Sequence, residues 1–365
     1  MYAQQSLQDT LFLMLYGGIA ILALATGLYL WLRRSNAVAP DVTPPIALRL
    51  WTAAFFITAT LSHVWWYVLG VYWLTDDRMI RNIVAVTLDH VALVPLVMSL
   101  LLRMLQDRQR PLWPWFLAQV PVLVAAIVGI VRHDGFYGFD LTTYWQIAVI
   151  TVFAIYYVFA LKRYSRWLQE NYADLEHKEV WQSLLFVAVL FVVYEVYFTN
   201  PGEMTREYLA QVETFAIIVF LLWRVETLQK LDDRQADIHQ NNEPAPLSQP
   251  STIDISQQLE TYCETQQLYL QHDITLQQLA TAIGTNRTYL SNYFVLQGIT
   301  YNTYINRLRI DHFIRLYNEN NKAGRSMTAI QLAQQSGFHS YSTFAAAFKQ
   351  FHGLSFTEWM KNTNL

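Results

Sequence analysis

Over its first 230 residues the chain alternates short polar segments with apolar stretches near the roughly 20 residues needed to cross a hydrocarbon core. Seven such stretches recur: Thr10–Leu32, Leu50–Val71, Ile83–Leu102, Trp113–Val131, Tyr144–Leu161, Val180–Phe198 and Tyr208–Leu228. From Ile253 onward the spacing becomes that of amphipathic helices, in a background rich in Gln, Asn and Thr. Between the two regions lies NNEPAPLSQPS, whose Pro244, Pro246 and Pro250 read as an extended linker. The predicted fold is all-α: a seven-helix transmembrane bundle over 1–230, a connector over 231–252 and a soluble helical domain over 253–365. The run RVETLQKLDDRQADIHQ, free of Gly and Pro, is expected to prolong the seventh span as a helix; Leu221, Val225 and Leu228 have the spacing of a short two-helix seam, which core or lipid packing explains equally well.

The polar segments orient the spans. Those after spans one, three and five carry Arg33, Arg34, Arg49, Arg103, Arg108, Arg110, Lys162, Arg163, Arg166 and Lys178; the others carry only Arg78, Arg81, Arg132 and Arg206. Because cytoplasmic loops hold the excess of Lys and Arg, the N-terminus is expected outside and everything after span seven in the cytoplasm. The first span does not read as a cleavable signal, since residues 1–9 contain no Lys or Arg. Pro95, Pro114 and Pro121 mark kinks or span starts.

The C-terminal region contains an internal repeat. Leu276, Leu279, Ala280 and Gly284 recur 53 residues later as Ala329, Leu332, Ala333 and Gly337. Each set is followed by a second helix with apolar residues four apart, Leu290 and Phe294, then Phe344 and Phe348. Small Ala280 and Ala333 allow two helices to approach, and a glycine closing the first helix permits the left-handed turn into the second. Two helix-turn-helix units are therefore predicted, joined by the helix of TYNTYINRLRIDHFIRLY.

At DITLQQLATAIGTNRTYLSNYF, YINRLRI and LAQQSGFHSYSTFAAAFKQFHGLSFTEW the chain resembles the AraC/XylS family of transcription regulators, in the DNA-binding domain only. With seven spans it is similar to the membrane-bound regulators of that family, without the usual soluble sugar-binding domain. The resemblance implies two recognition helices about one DNA turn apart on one face of the duplex. In the first helix Arg287, Thr288, Ser291 and Asn292 are the polar positions expected to face DNA, Arg suiting guanine edges and Asn adenine edges. In the second, His339, Ser340, Tyr341, Ser342 and Thr343 lie near the start, and Lys349 is expected at a phosphate. The chain departs from the family at Ala345 and Ala346, where relatives often carry polar or basic readers and where only thymine methyls could be contacted. It also carries Phe356 in place of a usual proline, and a longer loop at NENNKAGRS.

Composition sharpens this division. The 365 residues are 53% hydrophobic and 15% charged, against about 25% charged in soluble proteins, and the apolar excess sits in the first 230. A single cysteine, Cys263, excludes an intramolecular disulfide framework, and no Cys/His spacing suits structural zinc. The net charge of −3 excludes a generally basic nucleic-acid coat. Residues 253–365 hold 8 Lys and Arg against 7 Asp and Glu, so one copy neutralises few phosphates. Affinity of one copy is expected to be low, and a homodimer is expected to raise it through effective concentration.

Away from the cytoplasmic end of span seven, which carries Arg224 and Glu226, few ionisable side chains enter the spans: His63, Asp89, His90, Glu195 and Glu213. All fall in the expected outer half, about 5 to 12 Å below the boundary, beside Trp65, Trp66, Tyr67, Trp145, Tyr194 and Tyr197. A charge at that depth costs at least about 2.5 kcal/mol and faces other helices or water. His63, Asp89, Glu195, Glu213, Trp66 and Tyr194 are thus candidates for an outward-facing ligand pocket. Pairing as structural glue, or an aromatic belt at the interface, explains the same residues. His90 neighbours Asp89 about 100° around the helix, so the two cannot face one point.

The expected function is a bacterial inner-membrane transcription regulator. Its outer sensor would control promoter binding by a cytoplasmic domain, with double-stranded DNA, the lipid bilayer and the transcription machinery as partners. Control of the spans by a partner membrane protein rather than a small ligand is the alternative. An intramembrane metal-dependent enzyme is the third, disfavoured by the lack of HExxH or any His pair at i and i+4 in the spans. No catalytic residue, metal or cofactor is expected.

Overall fold

The computed structural model describes residues 7–70, 74–184, 188, 203–231, 252–324 and 326–363. Among them the fold is all-α, with helices and a single isolated antiparallel bridge, Tyr172 to Thr275. The chain divides into two compact units: Met1–Lys162 with Val180–Leu231, and Arg163–Glu179 with Asp232–Leu365.

The first unit contains α1 (Leu7–Leu32), α2 (Ile46–Gly70), α3 (Arg78–Met104), α4 (Trp113–Leu117), α5 (Val120–Arg132), the start of α6 (Leu141–Asn171), and α7 (Glu203–Thr227). Six helical stretches among the described residues are long and apolar enough to cross a membrane: α1, α2, α3, α4 with α5, α6 with the turn before it, and α7. The expected sixth span, Val180–Phe198, lies mostly outside the described residues. Helix α1 packs on α2, α2 on α3, and both α1 and α2 on α7. Gly27 makes the first pairing close, since a Cβ there would stand 3.2 Å from the Ala53 carbonyl oxygen.

Three expected elements differ in the structure. Span four is interrupted at Ala118 and Gln119, because Pro121 has no N–H for the preceding turn and instead opens α5. Span five runs on to Asn171, beyond the expected Leu161, and its last turns belong to the second unit. The seventh helix stops at Thr227 rather than continuing into the connector. Tertiary partners replace its ladder there: Lys230 N–H donates to Thr43 O at 2.7 Å, while Gln106 donates to Gln229 O and accepts from Leu231 N–H, both at 2.9 Å. Leu221, Val225 and Leu228 of the expected seam are buried.

Just before this stop, buried Glu226 accepts from the Tyr29 hydroxyl and from the backbone N–H groups of Ala37 (2.9 Å) and Val38 (2.8 Å). Arg49 approaches the same carboxylate at 4.0 Å and donates to Asn36 Oδ1 at 2.6 Å. Asn36 in turn donates to the Glu226 carbonyl at 2.9 Å. Each buried charge thus has several partners, the condition under which burial is tolerable.

The second unit holds α8 (Thr252–Gln258), α9 (Leu276–Ala282), α10 (Arg287–Leu296), α11 (Tyr301–Lys322), α12 (Ala329–Gln335), α13 (Tyr341–His352) and α14 (Phe356–Thr363). Its core has two clusters. One gathers Leu279, Ala280, Leu290 and Phe294 with Tyr301 and Ile305; the other gathers Leu332, Ala333, Phe338, Phe344 and Phe348 with Ile310, Phe313 and Phe356. Helix α11 supplies residues to both. Phe356 is absorbed by the second cluster, 4.9 Å from the Phe313 ring centroid.

Candidate nucleic-acid interface

The two helix-turn-helix units are built by the same local devices. Thr275 caps α9 in a capping box with Gln278, and Thr328 caps α12 in one with Gln331. Gly284 and Gly337 follow in the left-handed region, at φ +72° and +88°. Asn286 then caps α10 by accepting from Tyr289 N–H, and Ser340 caps α13 by accepting from Thr343 N–H. The repeat is not a strict translation: the second cap stands three residues after its glycine and the first only two. The extra residue accommodates Phe338, fully buried in the second core.

Arg309 ties the units together. Its guanidinium is wholly buried and donates to the backbone carbonyls of Tyr269 (2.8 Å), Gln271 (2.6 Å) and His272 (3.0 Å), while lying over the Phe338 ring. These carbonyls immediately precede α9, whereas Phe338 opens the second turn, so one side chain of α11 fixes both. Arg309 stood in the YINRLRI motif but no local pattern marked it as different from Arg307. Only its burial separates them.

The expected DNA-facing residues fall into two groups. Thr288, Asn292, His339, Tyr341, Ser342 and Lys349 are exposed, and Ser291, Ser340 and Thr343 are half-buried. Arg287 is instead buried to 9% exposure, its Nε donating to Asn171 Oδ1 at 2.8 Å. Glu176 accepts from the hydroxyls of Ser340, Thr343 (3.0 Å) and Ser342 (3.4 Å). Burial by itself would raise the Glu176 carboxyl, but the Ser340 and Thr343 hydroxyls, with His177 and His339 nearby, hold it below the usual carboxylate range. Neither Asn171 nor Glu176 was marked by the sequence, since their partners lie more than a hundred positions away.

Residues 279–362 match the family model of a helix-turn-helix domain. The C-terminal region is a helix-turn-helix region, and the match supports the expected likeness to AraC-type regulators. The match covers α10, α11 and α13, and it supports a DNA-binding transcription regulator. Comparison with curated proteins and with solved structures found no significant match.

Among the residues proposed for an outer pocket, Asp89 accepts from Ser62 Oγ at 2.5 Å and Trp66 Nε1 at 2.6 Å. His63 reaches Gln211 Oε1 of α7 at 3.1 Å and Ala59 O at 2.9 Å, and its own carbonyl accepts from Tyr16 OH at 2.6 Å. These contacts join α1, α2, α3 and α7. Among the described residues no hydrogen bond or ion pair links Glu213 to this set, and His90 Nδ1 is buried without a partner. Tyr194 and Glu195 lie outside the described residues. A cavity of about 410 Å³ opens between α1 and α7, lined by Met14, Leu15, Ile19, Leu22, Val212 and Phe215 with Gln211 as its polar member. Among the described residues, no group of three His, Cys, Asp or Glu side chains is close enough to hold a metal ion.

Proposed function

We propose that the chain is a one-component regulator of the bacterial inner membrane. Seven spans, with the N-terminus outside, would govern promoter binding by the C-terminal domain in the cytoplasm. The observation that carries this reading is the presence, in one chain, of the helix-turn-helix match at 279–362 and six apolar helices of spanning length. The segment Arg163–Glu179, the end of α6 and the residues after it, adds support. By the positive-inside rule it would lie on the cytoplasmic side, and it belongs to the same compact unit as the C-terminal domain. Two copies would bind adjacent sites, since one domain carries too little net charge to hold DNA tightly. Promoter-bound copies would act through the transcription machinery.

Genome-wide crosslinking of the intact chain tests this. Discrete promoter sites are expected, weakened when Asn292 or Lys349 becomes Ala, and a reporter fused after Asn242 should report the cytoplasm. Uniform background, or external reporter activity, would overturn the reading.

The stimulus has two versions. Asp89, Glu213 and His63 would line a ligand pocket in the first. In the second the spans respond to a partner membrane protein, and the satisfied hydrogen bonds of Asp89 and His63 favour it. Normal signalling by both D89N and E213Q would eliminate the pocket.

A further inference from the structure

The segment after the fifth apolar stretch ends on residues expected to face DNA. Asn171, the last residue of α6, holds Arg287 at the start of the first reading helix. The next two carbonyls, of Tyr172 and Ala173, accept from Asn302 Nδ2 of α11 at 3.2 and 2.8 Å. Tyr172 also forms the bridge to Thr275, the cap of α9. Glu176 then meets Ser340, Ser342 and Thr343 in the first turn of the second reading helix. Lys178 closes the segment with an ion pair to Asp273 at 3.4 Å.

A carboxylate seated among hydroxyls at a helix N-terminus takes the kind of place that a DNA phosphate takes when such a helix meets the duplex. An arginine already bonded to an asparagine has no free Nε for a guanine edge. The two contacts fall on different helix-turn-helix units, so one short segment engages both. Glu176 also adds a negative charge that repels an approaching phosphate within a Debye length, about 8 Å at physiological salt.

We infer that residues 163–179 form an intramolecular clasp that competes with DNA for both reading helices, so that promoter binding requires its release. This rests on the DNA-binding function proposed above and specifies how that function is regulated. The clasp is continuous with α6, whose earlier residues, Leu141–Lys162, belong to the span-bearing unit. A change in that span therefore has a covalent route to the reading helices that bypasses the proline-rich linker.

Full-length chain in lipid nanodiscs, with a promoter fragment recovered by the crosslinking above, provides the test. The variant N171A/E176A should bind that fragment on the order of tenfold more tightly, the scale of a typical coupling between sites. A second arm uses E176C/S342C and a short bis-maleimide. Native Cys263 stays silent there, because it is fully buried and burial pushes its thiol up to about 12. The pair should crosslink without DNA, promoter DNA should slow the reaction, and the crosslinked chain should lose binding relative to the same variant untreated. Unchanged or weaker binding by folded N171A/E176A overturns the clasp, as does a crosslinked chain that binds like the untreated one. If N171A/E176A fails to fold, the crosslinking arm decides alone. Crosslinking yield is read without DNA, so an efficient crosslink with no discrete promoter sites in cells condemns the DNA-binding reading, whereas discrete sites with no crosslink condemn the clasp.

Discussion

The two turn glycines of the helix-turn-helix units form a matched pair for testing what the second turn demands. Both are left-handed, Gly284 at φ +72° and Gly337 at φ +88°. An alanine in that region costs about 1 to 2 kcal/mol, offset by roughly 0.4 to 1 kcal/mol from a less flexible unfolded chain. At Gly284 nothing lies within 4 Å of an added Cβ, so G284A should cost only about 1 kcal/mol. At Gly337 the Cβ would stand 2.8 Å from Leu270 Cα and 3.0 Å from the Leu270 and Tyr269 carbonyl oxygens. Carbon atoms prefer at least about 3.5 Å, and these neighbours are backbone, one of them the acceptor for Arg309. Overpacking of this kind adds about 1 to 3 kcal/mol, bringing G337A to about 2 to 4 kcal/mol. Pulse proteolysis of the full chain across a urea series, read through a C-terminal epitope, measures the domain selectively. With a urea slope of about 2 kcal/mol per molar, the midpoint should fall by about 0.5 M for G284A and by about 1 to 2 M for G337A. A midpoint for G337A no lower than that for G284A would refute the reasoning.

Three further outcomes follow from buried groups. Replacing Arg309 by Met removes three charged hydrogen bonds to buried carbonyls and should cost at least about 3 kcal/mol in the same assay; a loss under 1 kcal/mol, on the order of one ordinary hydrogen bond, would remove it as the tie between the units. Exchanging Glu226 for Leu strands Arg49, which is only 2% exposed, at about 3 to 5 kcal/mol. The double variant R49M/E226L should regain much of that in a thermal melt, and equal melts for the two variants would contradict the pairing. Cys263 should resist maleimide at pH 8 until the chain is denatured, because its buried thiol stays protonated; labelling of the native chain at the rate of a free thiol would contradict its burial.

Much of the C-terminal fold was legible because its signals are local. Caps at Thr275 and Thr328, turn glycines and apolar spacing all lie within a few residues of the helices they define. The apolar stretches were equally plain, since length and hydropathy are properties of a window. Events settled by distant partners were not readable. Helix α7 ends at Thr227 because Gln106 and Thr43 offer bonds to the residues that follow. The burial of Arg287 likewise depends on Asn171, 116 positions away. The residues expected at DNA were chosen by type and position along each helix, which cannot say which are already engaged by Asn171 or Glu176.

The unequal turns have one last consequence. Matching the caps rather than the glycines pairs the units at an offset of 54, which sets Thr288 beside Ser342, Ser291 beside Ala345 and Asn292 beside Ala346. One residue of slip is about 100° of helix rotation, so an offset of 53 would assign the wrong side chains to the groove. Under the DNA-binding reading, Ser291 and Asn292 present a hydroxyl and an amide where Ala345 and Ala346 of the second helix present methyl groups. The target motif should then be lopsided in information content, with several sharply constrained base pairs under one helix and a tolerant stretch about one turn away. A site of that form has a direction, so inverting it within a promoter would reverse how the protein faces the transcription machinery.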